Sequence, residues 1–335
     1  MNEKIFNRIC YSLYGTALGD SMGMATEMWS QSKIDYYFPD GVQELMPSLN
    51  DLDWFGRDFK KGQYTDDTEN TIFIIRSIAA ANGVASAKKF IELLLYWEEH
   101  EPSTINVIGP STRKAIDGIR KGLPIEKTGY FGTTNGAAMK ISPIGMISDY
   151  RDIKTLVENV RQICMPTHNT SIAIGGASAV AACVSYAIYG GKDLEELIHI
   201  AKTAAAAGMK KGVQHPCANL LERIDMAVNA VKTLSFYDAR KYIFNIIGTG
   251  METIETVPAA LALILLSKGD LNQVVKNCAS IGGDTDTLGA ICGGICGPLS
   301  EYKDQESYEL LEQVNHISFE EICHMIFPYN PYQKN

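Results

Sequence analysis

Residues 162–191 contain no Asp, Glu, Lys or Arg. A stretch of that length admits two solutions: a membrane span, or a helix buried on every side in a protein core. His168, Asn169, Gly175 and Gly176 interrupt it, and much of the rest is Ala and Ser. Transfer into lipid is therefore unfavourable. The reading is a central core helix in a cytoplasmic chain with no membrane partner. Such a helix needs other elements packed around it. With 46% hydrophobic and 21% charged residues, the chain has the apolar surface to supply them and does not read as disordered.

The surrounding elements also read as helices. Apolar residues recur near the 3.6 period over 3–22, 67–81, 85–99, 153–164, 170–189, 194–206, 218–231, 257–266, 271–279 and 287–296. Alternating β-branched runs with hairpin turns are nearly absent. Residues 31–63, with Pro39, Gly41, Pro47, Gly56 and Gly62, read as an irregular surface loop. No linker or repeat divides the chain. The expected fold is all-α, a single compact multi-helix domain over residues 1–335. A net charge of −9, with no basic stripe, argues against a nucleic-acid partner. The eight cysteines are scattered without a CxxC pair and read as small core residues of a reducing compartment. The opening "MNEKIFNRICYSLYG" lacks the pattern of a signal peptide.

Two acidic motifs lead into apolar segments. One is Thr65-Asp66-Asp67-Thr68, before "ENTIFIIRSIAA"; the other is Gly283-Asp284-Thr285-Asp286-Thr287, before "LGAICGGICG". Thr65 suits an N-cap, and acids in a first turn favour the helix dipole. That role alone accounts for either motif in isolation. If the motifs meet, four carboxylates share a pocket, which is costly without compensation. Divalent metal removes the conflict, and an oxygen-only donor set selects hard cations such as Mg²⁺, Mn²⁺ or Ca²⁺. Four acids balance two dications, which favours a binuclear site. A third segment, "GTALGDSMGMATE", places Gly15, Gly19 and Gly23 four apart for close helix packing. Asp20 and Glu27 are the acids it could send to the same place.

Together these segments resemble the ADP-ribosylglycohydrolase family. "GDSMGMATE", "YTDDT" and "GGDTDTLGAI" carry the likeness, supported in order by "TTNGAAMK" and "THNTSIAIGGASAVA". The resemblance implies an all-α hydrolase built around two Mg²⁺ or Mn²⁺ ions. Thr65, Asp66, Asp67, Asp284, Asp286 and Thr287 are then metal ligands. Asn135, Gly136, Met139 and His168 are substrate-binding, and Glu27 is catalytic. Three positions depart from the family pattern. Ala25 replaces a common proline, and Lys140 replaces a common arginine. Val107 replaces an acid of arginine-directed members, which implies weak recognition of a guanidinium leaving group.

The implied reaction is hydrolysis of a glycosidic bond in an ADP-ribosylated protein or a small ADP-ribosyl or ribosyl compound. It passes through an oxocarbenium-like transition state. Metal-activated water attacks the anomeric carbon, and Glu27 orients or deprotonates that water. Residues 132–136 could offer backbone N–H groups to a diphosphate. Two alternatives fit parts of the sequence: a catalytically inactive, crystallin-like or ADP-ribose-binding member of the same fold, and an all-α isoprenoid synthase. Complete metal motifs argue against the first. The second acidic motif argues against the other.

Overall fold

The computed structural model describes residues 2–49, 52–100 and 109–333. In chain order the helices are α1 (Glu3–Gly23), α2 (Gln31–Tyr37), α3 (Asp66–Ala80), α4 (Ala87–His100), α5 (Pro110–Arg120), α6 (Ile125–Thr128), α7 (Ser142–Ile147), α8 (Ile153–His168) and α9 (Ser171–Tyr189). They continue as α10 (Leu194–Gly208), α11 (Leu220–Thr233), α12 (Phe236–Tyr242), α13 (Thr253–Leu266), α14 (Leu271–Ile281), α15 (Thr285–Ser300), α16 (Gln305–Asn315) and α17 (Phe319–Ile326). No sheet forms among the described residues; isolated bridges pin loops at Trp29–Gly283, Thr134–Glu252 and Thr170–Val213. The fold is all-α, as the periodicity predicts.

The charge-free stretch becomes α9, with every residue from Ser171 to Ile188 buried. The Thr170 hydroxyl caps its start by accepting from the Ala173 N–H, and Gly190 ends it in the left-handed region at φ 104°. α7, α8, α10, α13 and α15 pack around it. The only described helix long and apolar enough to cross a membrane is therefore a core helix.

α1 crosses α15 on glycines. A Cβ at Gly19 would lie 1.9 Å from the Gly289 carbonyl oxygen, and one at Gly15 would lie 2.1 Å from that of Gly293. Any larger residue would force the backbones apart. This contact carries the end of α1 to the start of α15, so it positions the acidic residues of both.

Several boundaries differ from the sequence expectation. α8 continues past residue 164 through Pro166, α13 begins at Thr253 and contains Pro258, and α15 reaches Ser300 through Pro298. Each proline removes one helical hydrogen bond, and burial of the surrounding turns outweighs that loss. Residues 31–63 include a short helix, α2, whose Ser30 cap accepts from the Lys33 N–H at 3.2 Å. α5, α6, α7, α12, α16 and α17 lie outside the expected ranges; each spans 11 residues or fewer, and periodicity over so few residues is weak. The cysteines are unpaired, and most are buried, as small core residues.

Candidate active site

Three helix ends build the site. Asp20, fully buried near the end of α1, accepts hydrogen bonds from the N–H groups of Thr65 and Thr68, both at 3.0 Å, and from the Thr68 hydroxyl at 2.5 Å. It thus satisfies open donors at the start of α3 from another helix. Thr65 caps α3, its hydroxyl accepting from the Asp67 N–H at 3.3 Å. Asp66 and Asp67 follow in the first turn.

The entry to α15 is shaped by Gly282 and Gly283, at φ 92° and 83°. These left-handed conformations suit glycine. A Cβ on Gly283 would also lie 2.3 Å from the Thr249 carbonyl oxygen. Met28 donates its N–H to the Gly283 carbonyl at 2.7 Å, and Gly283 returns one to Trp29 at 2.9 Å. These bonds fasten the Glu27 segment beside Asp284. The Thr285 hydroxyl donates to the Gly23 carbonyl at 2.7 Å, which locks α15 to the end of α1.

Glu27, Asp284 and Asp286 are buried, and one carboxylate oxygen from each lies within 4.8 Å of the others. With Asp66, Asp67 and Thr287 they line a cavity of about 120 Å³, whose other walls include Asn135, Gly136, Met139 and His168. Ten of the eleven residues that the sequence singles out therefore meet around one space. Thr65 does not line it, because its hydroxyl is turned into the cap of α3.

The electrostatics of the cavity follow from crowding. Burial, reinforced by the charge of Asp286, pushes Asp66 up to about 8 and Asp20 up to about 7. The same causes raise Asp67 and Asp284 well above the usual carboxylate range. Glu27 is raised by burial and Asp286, against the opposing charge of Arg57. Asn135 donates to Asp284 at 2.5 Å and to the Thr256 hydroxyl at 2.9 Å. Asp67 Oδ2 is buried without a hydrogen-bond partner. An unsatisfied carboxylate oxygen beside an all-oxygen acidic cluster suits a hard divalent cation.

Two buried cations flank the cluster. Arg57 donates to Glu27 Oε2 at 2.6 Å, to Asp53 Oδ2 at 2.9 Å and to the Met24 carbonyl at 3.2 Å. Nothing in the 31–63 segment singles it out by sequence, because its partners are set only by the loop's path. Lys140 is fully buried, and its Nζ has no hydrogen-bond partner. Burial pulls it down to about 8, with Cys164, Asp66 and Asp67 opposing. The sequence marks it only as a departure from a pattern.

His168 lies between the hydroxyls of Thr134, 2.9 Å from Nε2, and Thr167, 2.7 Å from Nδ1. Burial and then the charge of Lys140 hold it well below its ordinary value, so it is a neutral polar wall near pH 7. The glycines of 132–136 are accounted for by packing: a Cβ on Gly132 would lie 2.2 Å from the Thr167 carbonyl oxygen, and one on Gly136 would lie 2.8 Å from the His168 ring. The N–H groups of Gly132 and Asn135 already donate to the Gly129 and Met251 carbonyls, which leaves that loop fewer donors for an anion.

A family model for ADP-ribosylglycohydrolase matches residues 1–326. The chain belongs to the ADP-ribosylglycohydrolase family. It is 31% identical over 316 residues to the uncharacterized protein YegU of Escherichia coli, covering 93% of this chain and 94% of that one. It is 24% identical over 323 residues to the ADP-ribosylhydrolase ARH3 of Xenopus tropicalis, covering 85% of each. A solved ADP-ribosylglycohydrolase-related protein complex contains a chain with the same fold, at TM-score 0.71 and 19% identity over 98% of this chain and 99% of that one. The family is one of hydrolases, and the described residues hold a buried acidic cluster of Glu27, Asp284 and Asp286. Val107 and its family comparison lie outside the described residues.

Proposed function

We propose that this protein hydrolyses the glycosidic bond of an ADP-ribosyl substrate, or a related ribosyl one, with two Mg²⁺ or Mn²⁺ ions. The observation that carries this reading is the convergence of Glu27, Asp284 and Asp286 within 4.8 Å on the cavity that Asp66, Asp67, Asn135 and His168 also line. The ADP-ribosylhydrolase relatives support the substrate class. Asp66, Asp67, Asp284, Asp286 and Thr287 would hold the ions, with Thr65 acting through its cap on α3. When bound, these ions stabilise developing negative charge and make water nucleophilic near neutral pH.

The chain's own groups then orient the reaction. Asn135 fixes one oxygen of Asp284. Arg57 fixes Oε2 of Glu27, which leaves the other oxygen to orient the attacking water and take its proton. The water oxygen bonds to the anomeric carbon as the glycosidic C–N or C–O bond breaks. The withdrawn proton ends on the departing atom. Asn135, Gly136, Met139 and neutral His168 form the wall for the ADP-ribosyl part. Metal analysis together with a hydrolysis assay in Mg²⁺ and in Mn²⁺ tests this. ADP-ribose release supports the proposal, while turnover of a prenyl diphosphate, or of no substrate, rejects it.

A further inference from the structure

The hydroxyls around His168 form a chain that ends at the cavity. His168 Nδ1 lies 2.7 Å from the Thr167 hydroxyl and Nε2 lies 2.9 Å from that of Thr134, which in turn lies 3.2 Å from the Ser111 hydroxyl. Thr167 and His168 are buried, Thr134 and Ser111 are half-buried, and Ser111, Thr134 and His168 all line the cavity. We infer that Ser111 is a substrate-binding residue whose hydroxyl donates to an acceptor oxygen of the ADP-ribosyl part, and that His168 is the positioning residue that aims it through Thr134. This deepens the reading above and rests on it for the identity of the ligand.

The direction of the chain follows from its buried end. The Thr167 hydroxyl has no partner besides Nδ1 among the described residues. If Nδ1 carried the ring proton, the hydroxyl proton of Thr167 would be buried without an acceptor, which is costly. Thr167 therefore donates to Nδ1. A neutral ring carries one N–H, and burial keeps this ring neutral near pH 7. That proton is on Nε2 and is donated to the Thr134 hydroxyl oxygen. Thr134 then gives its own proton to Ser111, its other hydroxyl partner. The Ser111 proton has no acceptor among the described residues and faces the cavity. Both nitrogens of His168 are thereby engaged, so the ring acts behind the two hydroxyls. Thr253 holds the relay in place: its hydroxyl donates to the Thr134 carbonyl at 2.8 Å and its N–H to the Thr133 carbonyl at 3.2 Å.

Titration calorimetry with free ADP-ribose in saturating Mg²⁺ tests the chain. Ser111→Ala is expected to weaken binding about tenfold, and Ser111→Thr, which keeps a hydroxyl, to retain most of the affinity. His168→Phe is expected to weaken binding by a similar factor. The double variant Ser111→Ala/His168→Phe should be no weaker than either single one, because both remove the same contact. If His168→Phe fails to fold, Thr134→Val cuts the same link from a half-buried position and carries the same expectation, alone and combined with Ser111→Ala. Parent-like binding by Ser111→Ala or by the variant that cuts the link, or losses that multiply in the double variant, overturns the inference. So does a parent that binds no ADP-ribose. A parent that binds ADP-ribose through this chain but hydrolyses no ADP-ribosyl compound leaves the inference standing and rejects the hydrolase reading.

Discussion

Asp286 is the residue on which the acidic cluster turns, since its charge raises Asp20, Glu27, Asp66, Asp67 and Asp284. Asp286→Ala is expected to abolish or greatly weaken Mg²⁺ and Mn²⁺ binding in titration calorimetry; parent-like binding would displace the site from these residues. Asp66→Asn makes a complementary case. It removes charge from a crowded pocket, so the metal-free melting temperature is expected to hold or rise, while the extra stability conferred by added metal is lost. A metal-free protein that collapses instead would make Asp66 a helix-capping residue only. Arg57 carries the opposite charge. Its side chain is 4% exposed and serves both Glu27 and Asp53. Arg57→Met leaves those two acids facing each other without a cation, at a cost on the order of 3 kcal/mol. Arg57→Lys should recover part of this in chemical denaturation, because it restores the charge without the fork.

At the scale of elements, the site depends on how closely α1 and α15 approach. Gly19 and Gly289 touch backbone to backbone, and Gly23 meets Thr285 in the same way. Gly19→Ala inserts a methyl group where a carbonyl oxygen stands. The helices must separate, so the expected loss is about 3 kcal/mol or more, although alanine is the better helix former. Denaturant midpoints measure it. Metal affinity should fall as well, because Glu27 and Asp284 stand on opposite sides of this crossing. A gain in stability would show that the two helices are free to shift. The start of α3 depends on the same crossing through Asp20, which binds the N–H groups of Thr65 and Thr68 from α1. The helix that carries Asp66 and Asp67 is therefore aligned by an acid that does not itself line the cavity.

For the whole molecule, the crowded acids set a pH dependence. Folded, Asp20 holds its proton up to about pH 7 and Asp66 up to about 8, whereas unfolded carboxyls lose theirs near 4. Between those limits the folded state binds more protons, so this stability is full below about pH 4 and is lost as pH rises through 7 to 8. His168 has the opposite sign. Its folded value is depressed, so it costs stability as pH falls below about 6.5. Lys140, depressed to about 8, adds the opposite slope above about pH 7.5. It is therefore between about pH 6.5 and 7.5 that the metal-free melting temperature is expected to fall with rising pH, and saturating Mg²⁺ should flatten the trend. A flat metal-free profile would mean that the carboxylates are not crowded. The sequence by itself determined the all-α class, the buried α9 and the two acid–threonine motifs, because periodicity and caps are written within a few neighbouring residues. It also marked ten of the residues around the cavity, because their types suit one chemistry. Only the tertiary structure brought Glu27 beside Asp284 and Asp286, put Asp20 under α3 and turned Thr65 away from the cavity. It alone gave Arg57 its place, since that loop residue has no periodic signal and its partners lie on other segments. Those relations depend on helix crossings and loop paths between distant segments, which no local pattern encodes.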